Sequence, residues 1–133
     1  MLYIVKNNGK FMLNAKDIET IKKYGGEKAE IVYSWDENNQ REALKDFFSK
    51  PKLDEGTLEL CAVADVDIKN MREYIDSYYR DRSSMIEMLH DVEAISPEEE
   101  KELTELSEKS KEKQLDLLVE CYAHNPLDKT KKR

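Results

Sequence analysis

The second half of the chain constrains the fold most. From Ile68 to Ala123 it contains no glycine, and Pro97 is its only proline. Ile68, Met71, Ile75, Tyr78, Arg82, Met85, Leu89 and Val92 recur at alternating steps of three and four, the spacing of a helix packed along a seam. "SPEE" then restarts a helix, with Ser96 as cap, Pro97 at the first helical position and Glu99 reaching back. Pro126 bars continuation beyond about Ala123. Residues 68–125 are therefore expected to form a long antiparallel helical hairpin, each arm on the order of 40 Å long.

Arg82 interrupts the apolar stripe. Folding the two helices back at Ser96 brings Leu103 and Leu106 to the level of Leu89, Met85 and Ile86. Leu117, Leu118 and Cys121 meet Ile75 and Met71. Between these layers the second helix offers Ser107, Ser110, Lys113 and Gln114, level with Arg82. This predicts one polar layer, with Glu108 or Glu112 as counter-ion. Such a layer costs stability and penalises wrong registers. The competing expectation is an open layer facing a partner. Tyr74, Tyr78, Tyr79, Arg80 and Arg82 fall close together, and Tyr and Arg are the types most enriched at interface hot spots.

Residues 1–67 read as a small α/β head. "LYIVKNNGKFML" is a hairpin signal, because Asn8-Gly9 accepts the positive φ angles of a type I′ turn. That loop sets Lys6 opposite Phe11, Val5 opposite Met12 and Ile4 opposite Leu13. "NAKDIETIKKYGG" reads as a short helix capped by Asn14 and stopped at Gly25-Gly26. "AEIVYSW" reads as a strand with Ile31, Tyr33 and Trp35 on one face, and "QREALKDFF" as a second helix turning Leu44, Phe47 and Phe48 inward. "TLELCAVADV" reads as a fourth, buried strand, with Leu58, Leu60, Ala62, Ala64 and Val66 on one face. The expected fold is α+β: a small, mostly antiparallel four-stranded sheet with two short helices, then the hairpin, all in one domain of residues 1–133 ending in a basic tail over 126–133.

The net charge of −7 argues against general binding of phosphate backbones and suits docking on a basic protein surface. No signal peptide and no run near the roughly 20 apolar residues of a membrane span is visible, so a cytoplasmic location with reduced thiols is expected. Cys61, His90, Cys121 and His124 form a Cys₂His₂ set on paper. His90 falls near the helical turn and the other helical pair at the far end, roughly 30 Å away, so no metal and no cofactor are expected. A Cys121–His124 pair lacks the context of an activated nucleophile, and no acid–base pair stands out. An enzyme is not expected.

The acidic run from Glu98 to Glu112, with Glu98, Glu99, Glu102 and Glu105 at its start, is either a solvated helix face or a rod of negative charge that occupies the basic cleft of a nucleic-acid-handling protein. In composition alone the chain is similar to phage- or mobile-element-encoded inhibitors of host defence. The expected function is non-catalytic binding of another protein, through Tyr74, Tyr78, Tyr79, Arg80 and Arg82 or through that acidic face. Two alternatives stand beside it: a homodimer built on the heptad stripe, and a nucleotide-like ligand held between sheet and hairpin by Trp35, Tyr33, Tyr78 and Arg82.

Overall fold

The computed structural model describes residues 1–123. The expected tail at 126–133 and the positions of His124 and Pro126 lie outside the described residues. The chain is α+β, built on an antiparallel sheet of β1 (Leu2–Asn7), β2 (Lys10–Asn14) and β3 (Glu30–Trp35) in the order β2-β1-β3. The helices are α1 (Ile18–Gly25), α2 (Gln40–Ser49), α3 (Glu55–Val63), α4 (Ile68–Asp91) and α5 (Pro97–Ala123).

The β1–β2 turn is made by Asn8 and Gly9, with φ of 53° and 78°. Both central angles are positive, as a primed turn requires, and the register pairs Lys6 with Phe11 and Ile4 with Leu13. Across β1–β3, Ile4 pairs with Tyr33 but Val5 pairs with Ile31, so Val32 is the extra residue of a bulge. The bulge overturns the simple alternation expected for this strand. Tyr33 and Val32 pack with Ile4 on the inner face, whereas Ile31 packs with Val5 and Tyr3 on the outer face, against Ile21 of α1. The cap of α1 is Asp17 rather than Asn14: its carboxylate accepts the Thr20 N–H at 2.7 Å.

The expected fourth strand is instead helix α3. Leu58 and Ala62 satisfy both a period of two and an i, i+4 helical spacing, so the apolar pattern alone does not choose. The choice is made at the start of the segment, where the Asp54 carboxylate accepts the Thr57 N–H at 2.7 Å and caps the first turn. Leu58 and Ala62 face inward, and Leu60, expected on the same face, is 71% exposed.

Two apolar clusters lie along α4 and α5. One joins the inner sheet face and α2 to Met85, Ile86, Leu89 and Leu103. The other joins α3 to Met71, Ile75, Tyr79, Leu118 and Cys121. α5 meets α4 at Glu100–His90, Ser110–Tyr79 and Lys111–Asp76, so numbers rise along one helix as they fall along the other. The turn between them carries the expected capping box: the Ser96 hydroxyl accepts the Glu99 N–H at 3.1 Å, and Glu99 accepts the Ser96 N–H at 3.3 Å. The seam of α4 differs from the expected stripe by one residue in its middle. Tyr79, not Tyr78, is buried there, and Val92 is exposed just past the helix end. Tyr78 stays half-buried because its side of α4 borders an open pocket next to the sheet.

Candidate functional site: a caged arginine behind an open pocket

Arg82 lies between the two apolar clusters and is 1% exposed. It does not reach Glu108 or Glu112, which are exposed; that expected counter-ion is corrected. Its Nη1 donates to the Phe48 carbonyl at 3.1 Å, and its Nη2 donates to the Tyr78 hydroxyl at 2.9 Å. Phe48 belongs to the last turn of α2, whose carbonyls lack partners within the helix and form the negative end of the helix dipole. The guanidinium thus takes a helix end as its counter-charge. Three rings complete the enclosure, with the guanidinium carbon 4.7 Å from the centroid of Tyr78, 5.0 Å from Tyr79 and 5.3 Å from Phe47. Nε is the one buried side-chain polar atom left without a partner among the described residues.

The remaining groups of the polar layer are satisfied locally. Tyr79 and Ser110 share a hydrogen bond of 2.7 Å. The Gln114 amide accepts the Leu53 N–H at 2.8 Å and donates to the Leu53 carbonyl at 2.9 Å, tying the segment before α3 to the middle of α5. Ser107 is buried at the same level, and Lys113 is exposed.

On the far side of Tyr78 an open pocket of about 380 Å³ lies between the sheet and α4. Its floor is the rung of the β1–β2 hairpin formed by Lys6 and Phe11, one before the turn-closing pair Asn7 and Lys10. Tyr74 and Tyr78 form the α4 wall, and Phe47 and Lys52 form the wall that follows from α2. Lys6 pairs with Asp81 at 3.3 Å. Lys52 lies over the Tyr78 ring at 5.2 Å. Trp35, Tyr33 and Arg82, expected to line such a pocket, do not. Trp35 is buried and donates from its indole to Gln40; Tyr33 stacks on Phe47 and donates its hydroxyl to the Ala43 carbonyl. Arg82 stands behind the wall. Of the pocket residues, Lys6 and Phe11 are legible in the sequence as a pair set by the turn and Phe47 as an inward-facing residue of α2, whereas nothing in the sequence marks Lys52 or Asp81.

The expected contact residues therefore separate. Tyr74 and Tyr78 come together at the pocket, whereas Tyr79 and Arg82 turn inward. Arg80 is exposed beside a shallow groove with Ser83, Glu108 and Lys111, between α4 and α5. Of the acidic set, Glu99 is used by the capping box. Glu102 reaches α2, bridging Lys45 at 2.7 Å and Arg41 at 3.7 Å, and the Lys45 hydrogen bond holds its carboxyl below the ordinary carboxylate range. Glu98 and Glu105 are exposed.

A second surface emerges on α3. Leu60 and Val63 are 71% and 58% exposed, and Ala64 continues the same face. Glu55 and Glu59 are exposed on α3 itself, and Glu120 is exposed on α5 next to Cys121, which packs in the α3 cluster; burial first, and then Glu59, Glu55 and Glu120, push the Cys121 thiol up. Among the described residues no group of three or more His, Cys, Asp or Glu is placed to hold a metal, and no helix is long and apolar enough to cross a membrane. Comparison with protein-family models, curated proteins and solved structures gives no match to this chain.

Proposed function

We propose that the chain is a non-catalytic cytosolic binding protein that docks on a basic protein surface through the outward face of α3. The observation that carries this is the stripe of Leu60, Val63 and Ala64, which share one helix face at i, i+3 and i+4. Single exposed leucines are ordinary; a contiguous stripe is not. It sits on a helix whose opposite face already fills the core with Leu58 and Ala62, and which carries no lysine or arginine. An apolar centre beside Glu55, Glu59 and Glu120 complements a partner that sets apolar groups among Lys and Arg. Proteins that handle nucleic acid have such surfaces, so occupying one of them, as a mobile-element inhibitor does, is the favoured form of this role. In this reading α4 and α5 act as an antiparallel hairpin that holds α3 at one end, and Glu98 and Glu105 extend the acidic surface. Self-association is disfavoured, because two copies of the same face would set these carboxylates against one another.

A photo-crosslinking side chain at position 64, exposed on the same stripe, tests the proposal. The expected result is a captured basic protein whose capture is lost in the Leu60→Glu, Val63→Glu double variant and falls as salt is raised before irradiation. A correctly folded chain that captures no such protein counts against it. Light scattering in which mass grows with concentration, and stops growing in the double variant, would replace it with self-assembly.

A further inference from the structure

We propose that the pocket between the sheet and α4 is a binding site for a small aromatic anion, a planar ring bearing a carboxylate or phosphate. This goes beyond the docking role of α3 and rests on different residues. The cavity, about 380 Å³, falls within the range of small-molecule sites. Phe11, Phe47, Tyr74 and Tyr78 supply ring surfaces on three sides, from the hairpin, the end of α2 and α4.

The charge lining the pocket selects the sign of the ligand. Aromatic walls with carboxylates would suit a cation, and Asp81 and Glu30 are present. Asp81, however, is paired with Lys6, and Lys52 has no carboxylate partner among the described residues. Directly behind Tyr78 stands the Arg82 guanidinium, a buried charge with no carboxylate partner among the described residues. Lys52 and Arg82 against Glu30 leave an excess positive charge at the wall.

The hydroxyl of Tyr78 gives this charge a direction. Its oxygen accepts from Arg82 Nη2 at 2.9 Å, so its own proton points to a different acceptor, and no described residue receives it. A phenol that accepts from a cation is a strengthened donor through hydrogen-bond cooperativity. A carboxylate or phosphate oxygen at that position receives the Tyr78 proton and meets the Lys52 ammonium, while the attached ring lies against the aromatic walls. Arg82 acts here as a positioning residue that orients and polarises Tyr78.

Titration of the full chain with phenyl phosphate, benzoate, inorganic phosphate and benzylamine, followed by backbone amide NMR shifts, tests the site. Expected are saturable shifts at Lys6, Phe11, Lys52 and Tyr78 with phenyl phosphate or benzoate, and weaker binding of inorganic phosphate and benzylamine. Lys52→Ala, at an exposed position, should weaken aromatic-anion binding about tenfold with the fold intact. Ser77→Phe, which fills the pocket from its α4 wall, should abolish it. Benzylamine or bare phosphate binding as well as phenyl phosphate overturns the proposal, as does the absence of any saturable shift, or shifts that Lys52→Ala and Ser77→Phe leave unchanged.

Discussion

Arg82 and Phe48 are joined across 34 residues of sequence by a 3.1 Å bond from a guanidinium nitrogen to a backbone carbonyl. The bond closes the C-terminal end of α2, where the chain must stop being helical before Pro51. It also explains how a full positive charge survives in the interior without a carboxylate. The carbonyl, the Tyr78 oxygen and three ring faces share the work of replacing water.

Substitutions at position 82 should separate shape from charge. Arg82→Ala is expected to cost about 3 kcal/mol or more, since it opens a cavity and strands the Phe48 carbonyl. Arg82→Lys should recover little of this, because one ammonium cannot bond both partners and stack on the rings. Arg82→Met, which keeps the volume, should be the mildest of the three. Urea unfolding gives the order; Lys as the mildest would show that charge, not the planar fork, is what the site holds.

Gln114 should behave as a structural clamp. Its two bonds to Leu53 fix the connection between α2 and α3. Gln114→Leu leaves both backbone groups of Leu53 unpaired and is expected to cost about 2 kcal/mol or more. Gln114→Glu keeps the acceptor and loses the donor, and should cost less. Denaturant midpoints of the two variants make the comparison.

Position 60 should tolerate what position 58 does not. Leu58→Ala is expected to cost about 2–5 kcal/mol, as for a fully buried leucine. Leu60→Ala should stay within about 0.5 kcal/mol. Equal losses at both positions would fit a strand better than α3.

The two thiols should differ in reactivity. Cys121 is buried, and its thiol is pushed up by burial first and by Glu59, Glu55 and Glu120 after that. Cys61 is half-buried. One fast and one slow phase are expected with a thiol-exchange reagent at neutral pH, and Cys61→Ser should remove the fast one.

Acid should weaken the fold through its helix caps and one inter-helix pair. The Thr20 N–H lowers the Asp17 carboxyl, the Thr57 N–H lowers Asp54, and the Lys45 hydrogen bond lowers Glu102. Groups lowered on folding stabilise above the unfolded carboxylate range, near about 4, and lose that contribution as pH falls through the lower folded value. Melting temperature should therefore fall as pH drops below about 4. Asp54→Asn, which still caps α3, should flatten that fall.

Much of the frame is legible from local chemistry. Asn8-Gly9 sets the turn and hence the β1–β2 register, and Ser96 with Glu99 sets the start of α5. The height of the polar layer follows from two stripes losing apolar residues together. What fills that layer does not follow, because the partner of Arg82 is a main-chain oxygen on a remote helix, and any residue supplies one. The α3 segment is ambiguous in sequence because Leu58 and Ala62 fit both periods, and the Asp54 cap that marks a helix start is a single polar residue of a kind equally common in turns. The pocket is not legible in the sequence, because its walls come from separate segments that only the tertiary fold assembles.

The single extra residue in β3 has an effect on which changes this strand can absorb. With Val32 out of register, six residues serve opposite sides of the sheet in turn: Ile31 closes the α1 layer, and Tyr33 closes the α2 layer. Losing Val32 would leave Ile31 and Tyr33 adjacent, opposite Val5 and Ile4, and so on the faces they already occupy, whereas straightening the strand with Val32 kept would put both on one face; the bulge is the one place where this strand can shed a residue without emptying either layer.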